Sequence, residues 1–399
     1  MNTMNTMKLQ EGGKYIYEGS YGCAFNPALP CAKTGKRKGI GKLFNNITDF
    51  KTEEKIQKFI KKIDPNHDAT IPFYGSCRAD LEKTSKADQV NKCNIVNDYS
   101  VSKKSLNQLM FKFGGDDLDI IMNNIKNNSK YKKINFDTII SLLLPLIKCI
   151  VKIANRGYIH SDIKPPNILY SIRSNKLYLI DFGLLQKQYT ITQSSSTLSF
   201  KYLYYPPEFI TIKNLRSGIR DPVRLYNDIL ENFGFYNYEI FMDYLVFADY
   251  EVRVKEFIKY ALSISLEKLE KEFVNKYIKK LDVYSLGMSI TEFMYVTQID
   301  NTFNVENKVL YNGFIKNILI KMIDPDPRYR LTPEEAYMRM NCLYFLNKIK
   351  VKEDNILDFI KITQIKQIAN KLQLPLNNDK NDKTVLYNSI IKNAHLLIK

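Results

Sequence analysis

The sequence has no C-x-x-C pair. Its six cysteines (23, 31, 77, 93, 149 and 342) stand singly, with no histidine close by. Reduced thiols in a cytosolic compartment are the simplest reading of that pattern. Long apolar runs are missing too. The longest, Ile139 to Ala154, is interrupted by Lys148 and Lys152, and it falls short of the roughly 20 residues a membrane-spanning helix needs. The opening Met-Asn-Thr-Met-Asn-Thr-Met-Lys carries no apolar segment, so nothing there reads as a secretion signal. Acidic charge is in short supply, since 59 Lys and Arg face 42 Asp and Glu, a net charge of +17. Such a balance admits a nucleic-acid partner. The lysines are scattered rather than blocked, however, and charge by itself assigns none.

What is present is an ordinary globular composition. At 399 residues, 45% hydrophobic and 25% charged, the chain has room for two or three domains and a real core. The most informative stretch is Tyr158-Ile159-His160-Ser161-Asp162-Ile163-Lys164-Pro165-Pro166-Asn167-Ile168-Leu169. An Asp and an Asn five positions apart on a proline-stiffened loop can converge on one small volume. One is then able to accept a proton, the other to bind a metal through its carbonyl oxygen. Downstream, Leu177-Tyr178-Leu179-Ile180 reads as a short buried strand that delivers Asp181-Phe182-Gly183.

This order, H-x-D-x-K-x-x-N and then D-F-G after a strand, resembles the eukaryotic-type protein kinases over roughly residues 12 to 345. In style the chain is similar to divergent kinases carried by large DNA viruses. The resemblance implies an α+β, two-lobed fold: a β-rich small lobe over 12–113 and a mainly helical large lobe over 114–349. ATP and Mg2+ would lie between the lobes. It assigns Asp162 as the base that orients and deprotonates the acceptor hydroxyl, and Lys164 as the group that neutralises the γ-phosphate. Asn167 and Asp181 become magnesium ligands.

Earlier in the chain, Gly19-Ser20-Tyr21-Gly22 sits between two short strand patterns and resembles a phosphate-binding glycine loop, with Gly19 and Gly22 as its glycines. A simple hairpin is an equal reading. Lys42, between apolar neighbours, resembles the strand lysine that pairs with the α- and β-phosphates. Ile56, Phe59, Ile60 and Ile63 mark an amphipathic helix whose inward face includes Glu53, the candidate partner of Lys42, with Glu54 a close second. Asp116 or Asp117 stands where a ribose hydroxyl would be bonded, though a plain strand-turn-helix fits equally.

Beyond Gly183, a hydroxyl-rich run from Thr190 to Ser199 resembles an activation segment, closed by Tyr205-Pro206-Pro207-Glu208. Asp282-Val283-Tyr284-Ser285-Leu286-Gly287 resembles the D-x-W-S-x-G helix start, whose Asp accepts backbone N–H groups from the catalytic loop. Arg330 resembles the late arginine that pairs with Glu208. Two departures stand out: Ser161 occupies the usual place of an arginine, and about 210–280 is an insertion whose apolar pattern predicts helices. The insertion reads either as a docking surface or as a packed embellishment. Residues 350–399 read as helix, elbow, helix, either a packed tail or a module similar to the DNA-binding SAP type.

The function implied is transfer of the γ-phosphate of ATP to protein serine or threonine hydroxyls, in the cytoplasm, or in a virion or viral factory for a viral chain. Lys164, two places after Asp162, leans the acceptor toward Ser/Thr. The rival readings are a pseudokinase scaffold, a small-molecule kinase of the aminoglycoside type, and a nucleic-acid-associated protein resting on charge and tail. The aminoglycoside type would not carry both Pro207-Glu208 and the motif at 282–287.

Overall fold

The computed structural model describes residues 13–19, 22–34, 39–81, 87–97, 106–125, 131, 134–190, 203–231, 247–297 and 311–348. The serine- and threonine-rich run over 191–202, the middle of the insertion over 232–246 and the C-terminal 350–399 lie outside them. So do the expectations attached to those segments. The chain divides into two compact units, residues 1–115 with 178–183, and residues 116–177 with 184–399.

In the first unit, β1 (Lys14–Gly19), β2 (Gly22–Asn26), β3 (Ile40–Phe44), β4 (Phe73–Arg78) and β5 (Asn107–Phe111) form an antiparallel sheet in the order β1-β2-β3-β5-β4. Helix α1 (Ile47–Ile63) follows β3, and its start is legible in sequence. The Asn46 side chain accepts the Thr48 N–H at 2.7 Å, and Asp49 lies in the first turn, where the helix dipole favours an acid. Phe50, Glu53, Gln57, Ile60 and Ile63 are its buried residues, at the three- and four-residue spacing that lines one face. Phe50 meets Phe44 edge-to-face at 5.9 Å in a cluster with Leu109. Each such side chain contributes about 1.5–3 kcal/mol by leaving water, and together they fix α1 against the sheet.

The cysteines correct the reading made from sequence. Cys23 is bonded to Cys93 and Cys31 to Cys77, while Cys149 and Cys342, both buried, are in neither disulfide. The partners are 70 and 46 positions apart. Their approach is made by the sheet and by the short helices α2 (Ala87–Val90) and α3 (Asn94–Asn97), which sequence spacing does not register. Beside Cys77, the fully buried Gln108 amide accepts the Leu29 N–H at 3.1 Å and donates to the Leu29 carbonyl at 2.6 Å, so no polar group is stranded there.

The second unit is mainly helical. The two-residue β6 (Asp116–Asp117) and short α4 (Leu118–Asn124) are followed by α5 (Phe136–Ala154), which runs through Pro145 and buries ten side chains from Phe136 to Ile153. Gly157 stops the segment with φ +75°, a conformation that favours glycine. Next come β7 (Tyr158–Ile159), β8 (Ile168–Ser171), β9 (Lys176–Leu179) and β10 (Gln186–Lys187), with β10 antiparallel to β7. Beyond residue 202, α6 (Pro207–Arg216), α7 (Pro222–Glu231), α8 (Phe247–Ser263) and α9 (Leu266–Glu272) precede α10 (Leu281–Thr297) and α11 (Pro333–Lys348).

Every residue of α10 from Leu281 to Met294 is buried. Close packing dictates Gly287, because a Cβ there would lie 2.7 Å from the Ile323 side chain. The insertion is helical where described, and it is a packed element rather than an appendage. Leu225 and Ile229 of α7, Val254, Phe257 and Ile258 of α8 and Leu269 of α9 share one core with Phe209 and Ile212 of α6 and with Ile159. No helix among the described residues is long and apolar enough to cross a membrane.

Candidate active site

The first unit assembles a lysine and two carboxylates. Lys42 lies mid-strand in β3, opposite Ala24 on one side and Leu109 on the other. Its ammonium donates to both Glu53 oxygens at 2.9 and 3.1 Å and to Asp181 Oδ1 at 3.0 Å. Burial alone would lower the Lys42 pKa, but the charges of Asp181 and Glu53 outweigh it and hold the ammonium above its ordinary value. Burial raises the Glu53 carboxyl, with Lys42 opposing the rise. Lys42 is therefore a fixed cation, as electrostatic positioning requires. Glu54 faces elsewhere: its carboxylate accepts from Ser76 Oγ and pairs with Lys58 at 3.1 Å.

Asp181 has φ +57°, unusual for a residue other than glycine. The strand before it is held by the Leu179 N–H, which donates to the Ala69 carbonyl at 2.8 Å. Asp64 organises that acceptor, since its buried carboxylate accepts the N–H groups of Asp68, Ala69 and Thr70. Nothing in the sequence singled out Asp64. Gly19 and Gly22 pair at the end of the β1–β2 hairpin, and at position 22 packing alone requires glycine, because a Cβ would come within 1.9 Å of the Leu43 carbonyl oxygen.

The second unit holds the loop from His160 to Asn167. Asp282, at the start of α10, accepts the His160 N–H at 2.7 Å and the Ser161 N–H at 3.0 Å. Burial pushes its carboxyl up to about 6, against the pull of those two bonds. Ser161, with φ +68°, turns the chain into Asp162. The Asp162 carboxylate oxygen Oδ2 pairs with Lys164 Nζ at 3.0 Å and accepts from Asn167 Nδ2 at 2.8 Å. The same Nδ2 donates to the Asp162 carbonyl at 2.8 Å. With the amide nitrogen committed to Asp162, Oδ1 is the Asn167 atom that suits a cation. Carboxylate and amide oxygens are the donors that a hard ion such as Mg2+ takes, and Asp181 in the first unit and Asn167 in the second each carry a donor of that type.

Glu208 and Arg330 form the expected pair, bidentate and buried, at 2.6 and 2.8 Å. Asp116 and Asp117 have local partners: Tyr131 OH donates to Asp116, and Asp117 caps α4 by accepting the Ile120 N–H at 2.8 Å. Sequence reasoning missed Gln186, whose Nε2 donates to Ser161 Oγ at 3.1 Å. A glutamine in a polar run after Gly183 carries no motif signal.

A family model described as "Protein kinase domain" matches residues 49–221, which takes in Glu53, Asp162, Lys164, Asn167, Asp181 and Glu208. A non-specific serine/threonine protein kinase of Drosophila melanogaster is 33% identical over 88 residues, 22% of this chain and 13% of the relative. A protein of Dictyostelium discoideum named "Probable serine/threonine-protein kinase" is 29% identical over 140 residues, 32% of this chain and 20% of the relative. The cell division cycle 7-related protein kinase of Homo sapiens is 40% identical over 53 residues, 13% of this chain and 9% of the relative. The chain thus spans a fifth or less of the length of these curated relatives. Residues 49–221 match a protein kinase domain, and the chain is similar there to eukaryotic-type protein kinases.

Proposed function

We propose that the protein transfers the γ-phosphate of ATP to serine and threonine hydroxyls of protein substrates. The observation that carries this reading is the state of Asp162, whose carboxylate is held by Lys164 and Asn167 on a loop pinned by Asp282. A carboxylate so oriented accepts the proton of an incoming hydroxyl, and the Lys164 ammonium beside it offsets charge on the transferring phosphoryl group. Lys42, fixed by Glu53, holds the α- and β-phosphates, and the main chain at Gly19 and Gly22 covers them. Asn167 and Asp181 hold Mg2+, which when bound neutralises phosphate charge. Catalysis is then positioning plus charge neutralisation.

Lys164, two places after Asp162, and the names of the relatives support the Ser/Thr class. In this reading the kinase lobes occupy 12–113 and 114–349, and 350–399 is a C-terminal helical tail. Radiolabelled ATP with a generic protein acceptor tests it. Label on serine and threonine supports the assignment, and nucleotide binding without transfer would instead indicate a pseudokinase scaffold.

A further inference from the structure

Ser161 sits directly before the proposed base, and three constraints meet on it. Its backbone is left-handed at φ +68°, which disfavours any side chain, so the conformation persists only where its surroundings hold it. Its N–H is fixed by the Asp282 carboxylate. Its hydroxyl, buried with the rest of the residue, accepts from Gln186 Nε2 at 3.1 Å. Gln186 is itself held in place by the pairing of β10 with β7, where it stands opposite Ile159. Two residues on, Gln188 fastens the same segment. Its N–H donates to the Gly157 carbonyl at 2.9 Å, and its side-chain amide donates to the Ala154 carbonyl at 3.0 Å and the Tyr158 carbonyl at 3.4 Å. The chain just after Asp181-Phe182-Gly183 is thus sewn to the loop that presents Asp162 by neutral amide and hydroxyl groups.

We propose that Gln186 is a positioning residue for phosphoryl transfer: by donating to Ser161 Oγ it holds the strained turn that aims Asp162. The proposal rests on the kinase reading above. Gln186 touches no reacting atom, so it acts through Ser161 on the orientation of the base. Losing it lowers turnover and leaves nucleotide affinity nearly unchanged, because Lys42, Gly19 and Gly22, assigned to the α- and β-phosphates, are not on this loop.

The test uses the full chain with Gln186→Ala, Gln186→Glu, Ser161→Ala and the double variant Ser161→Ala/Gln186→Ala. Gln186→Glu keeps the shape and removes the donor. Each single change is expected to lower kcat about tenfold, equivalent to about 1.4 kcal/mol, with KM for ATP unchanged. The double variant should be no slower than either single one, since both remove the same contact. Multiplying effects, or a change in thermal stability with kcat intact, would overturn the proposal. Amide hydrogen exchange at Ser161 and Asp162, which needs no turnover, reads the same contact independently. Faster exchange in Gln186→Ala supports the assignment, and unchanged exchange overturns it. A wild-type chain without transfer would defeat the kinase reading, while the exchange data would still decide the role of Gln186.

Discussion

Arg330 and Glu208 lie 122 positions apart in sequence, yet their side chains meet as a bidentate ion pair from which water is excluded. The Arg330 guanidinium also stacks over the Tyr284 ring at 4.7 Å, and Tyr284 OH meets Tyr250 OH of α8 at 3.1 Å. One contact chain therefore joins the start of α6, the helix α10 and the insertion. Removing only Arg330 strands a buried carboxylate, whereas removing both charges does not. Arg330→Met should destabilise the protein by about 3–5 kcal/mol, and Glu208→Met/Arg330→Met should recover much of that loss. Urea unfolding of both variants checks this, and equal losses would contradict it.

Glu53 and Glu54 give a second, discriminating pair. Only Glu53 reaches Lys42, while Glu54 is engaged with Ser76 and Lys58. Glu53→Gln should lower turnover by at least about tenfold, or about 1.4 kcal/mol of transition-state stabilisation. Glu54→Gln should leave turnover close to wild type. Steady-state kinetics on the two variants separate them, and a reversed order would reassign the partner of Lys42.

Asp282 predicts a pH dependence. Its carboxyl, pushed up to about 6 in the folded chain, would titrate near 4 when unfolded. Protonation is thus easier in the fold, and the stability this group contributes is fully present below about 4 and lost as pH rises through about 6. Activity runs the other way, because only the carboxylate accepts both the His160 and Ser161 N–H groups. We expect kcat to fall on the acid side with an apparent pKa of about 6. Asp282→Asn should be slower and lack that limb. A pH–rate profile in which the variant keeps the limb would place the titration on another group.

The disulfides yield a fourth prediction. Non-reducing peptide mapping should return Cys23 with Cys93 and Cys31 with Cys77, and only Cys149 and Cys342 should be alkylated after unfolding without reductant. Cys23→Ser/Cys93→Ser should lose about 2–5 kcal/mol of stability. Full alkylation of all six cysteines in unreduced protein would contradict the pairing.

Much of the fold was legible because the informative residues act over short distances. Within the loop from His160 to Asn167 the groups are close in sequence, so spacing brought Asp162 and Asn167 together, although distant Asp282 fixes the loop's start. Helix α1 showed its face through Ile56, Ile60 and Ile63, yet could not choose between adjacent Glu53 and Glu54. That choice depends on the turn angle of the helix against β3, which a sequence pattern fixes only to within a residue. The disulfides and the shared core of the insertion with Ile159 were not legible, since both arise from approaches between distant segments. Gln186 escaped notice for a different reason. Its role comes from one hydrogen bond to a neighbouring strand's loop, and a lone amide in a polar run has no periodicity to betray it.

In the proposed reaction Asp162 serves the acceptor hydroxyl and not the nucleotide. The most direct measurement compares Asp162→Ala with wild type in two assays on the same preparation, phosphoryl transfer to a protein acceptor and equilibrium binding of ATP with Mg2+. Transfer should fall by about 10²–10⁴-fold, the range of a lost general base, while nucleotide affinity stays nearly unchanged. Wild-type turnover in Asp162→Ala would contradict the account.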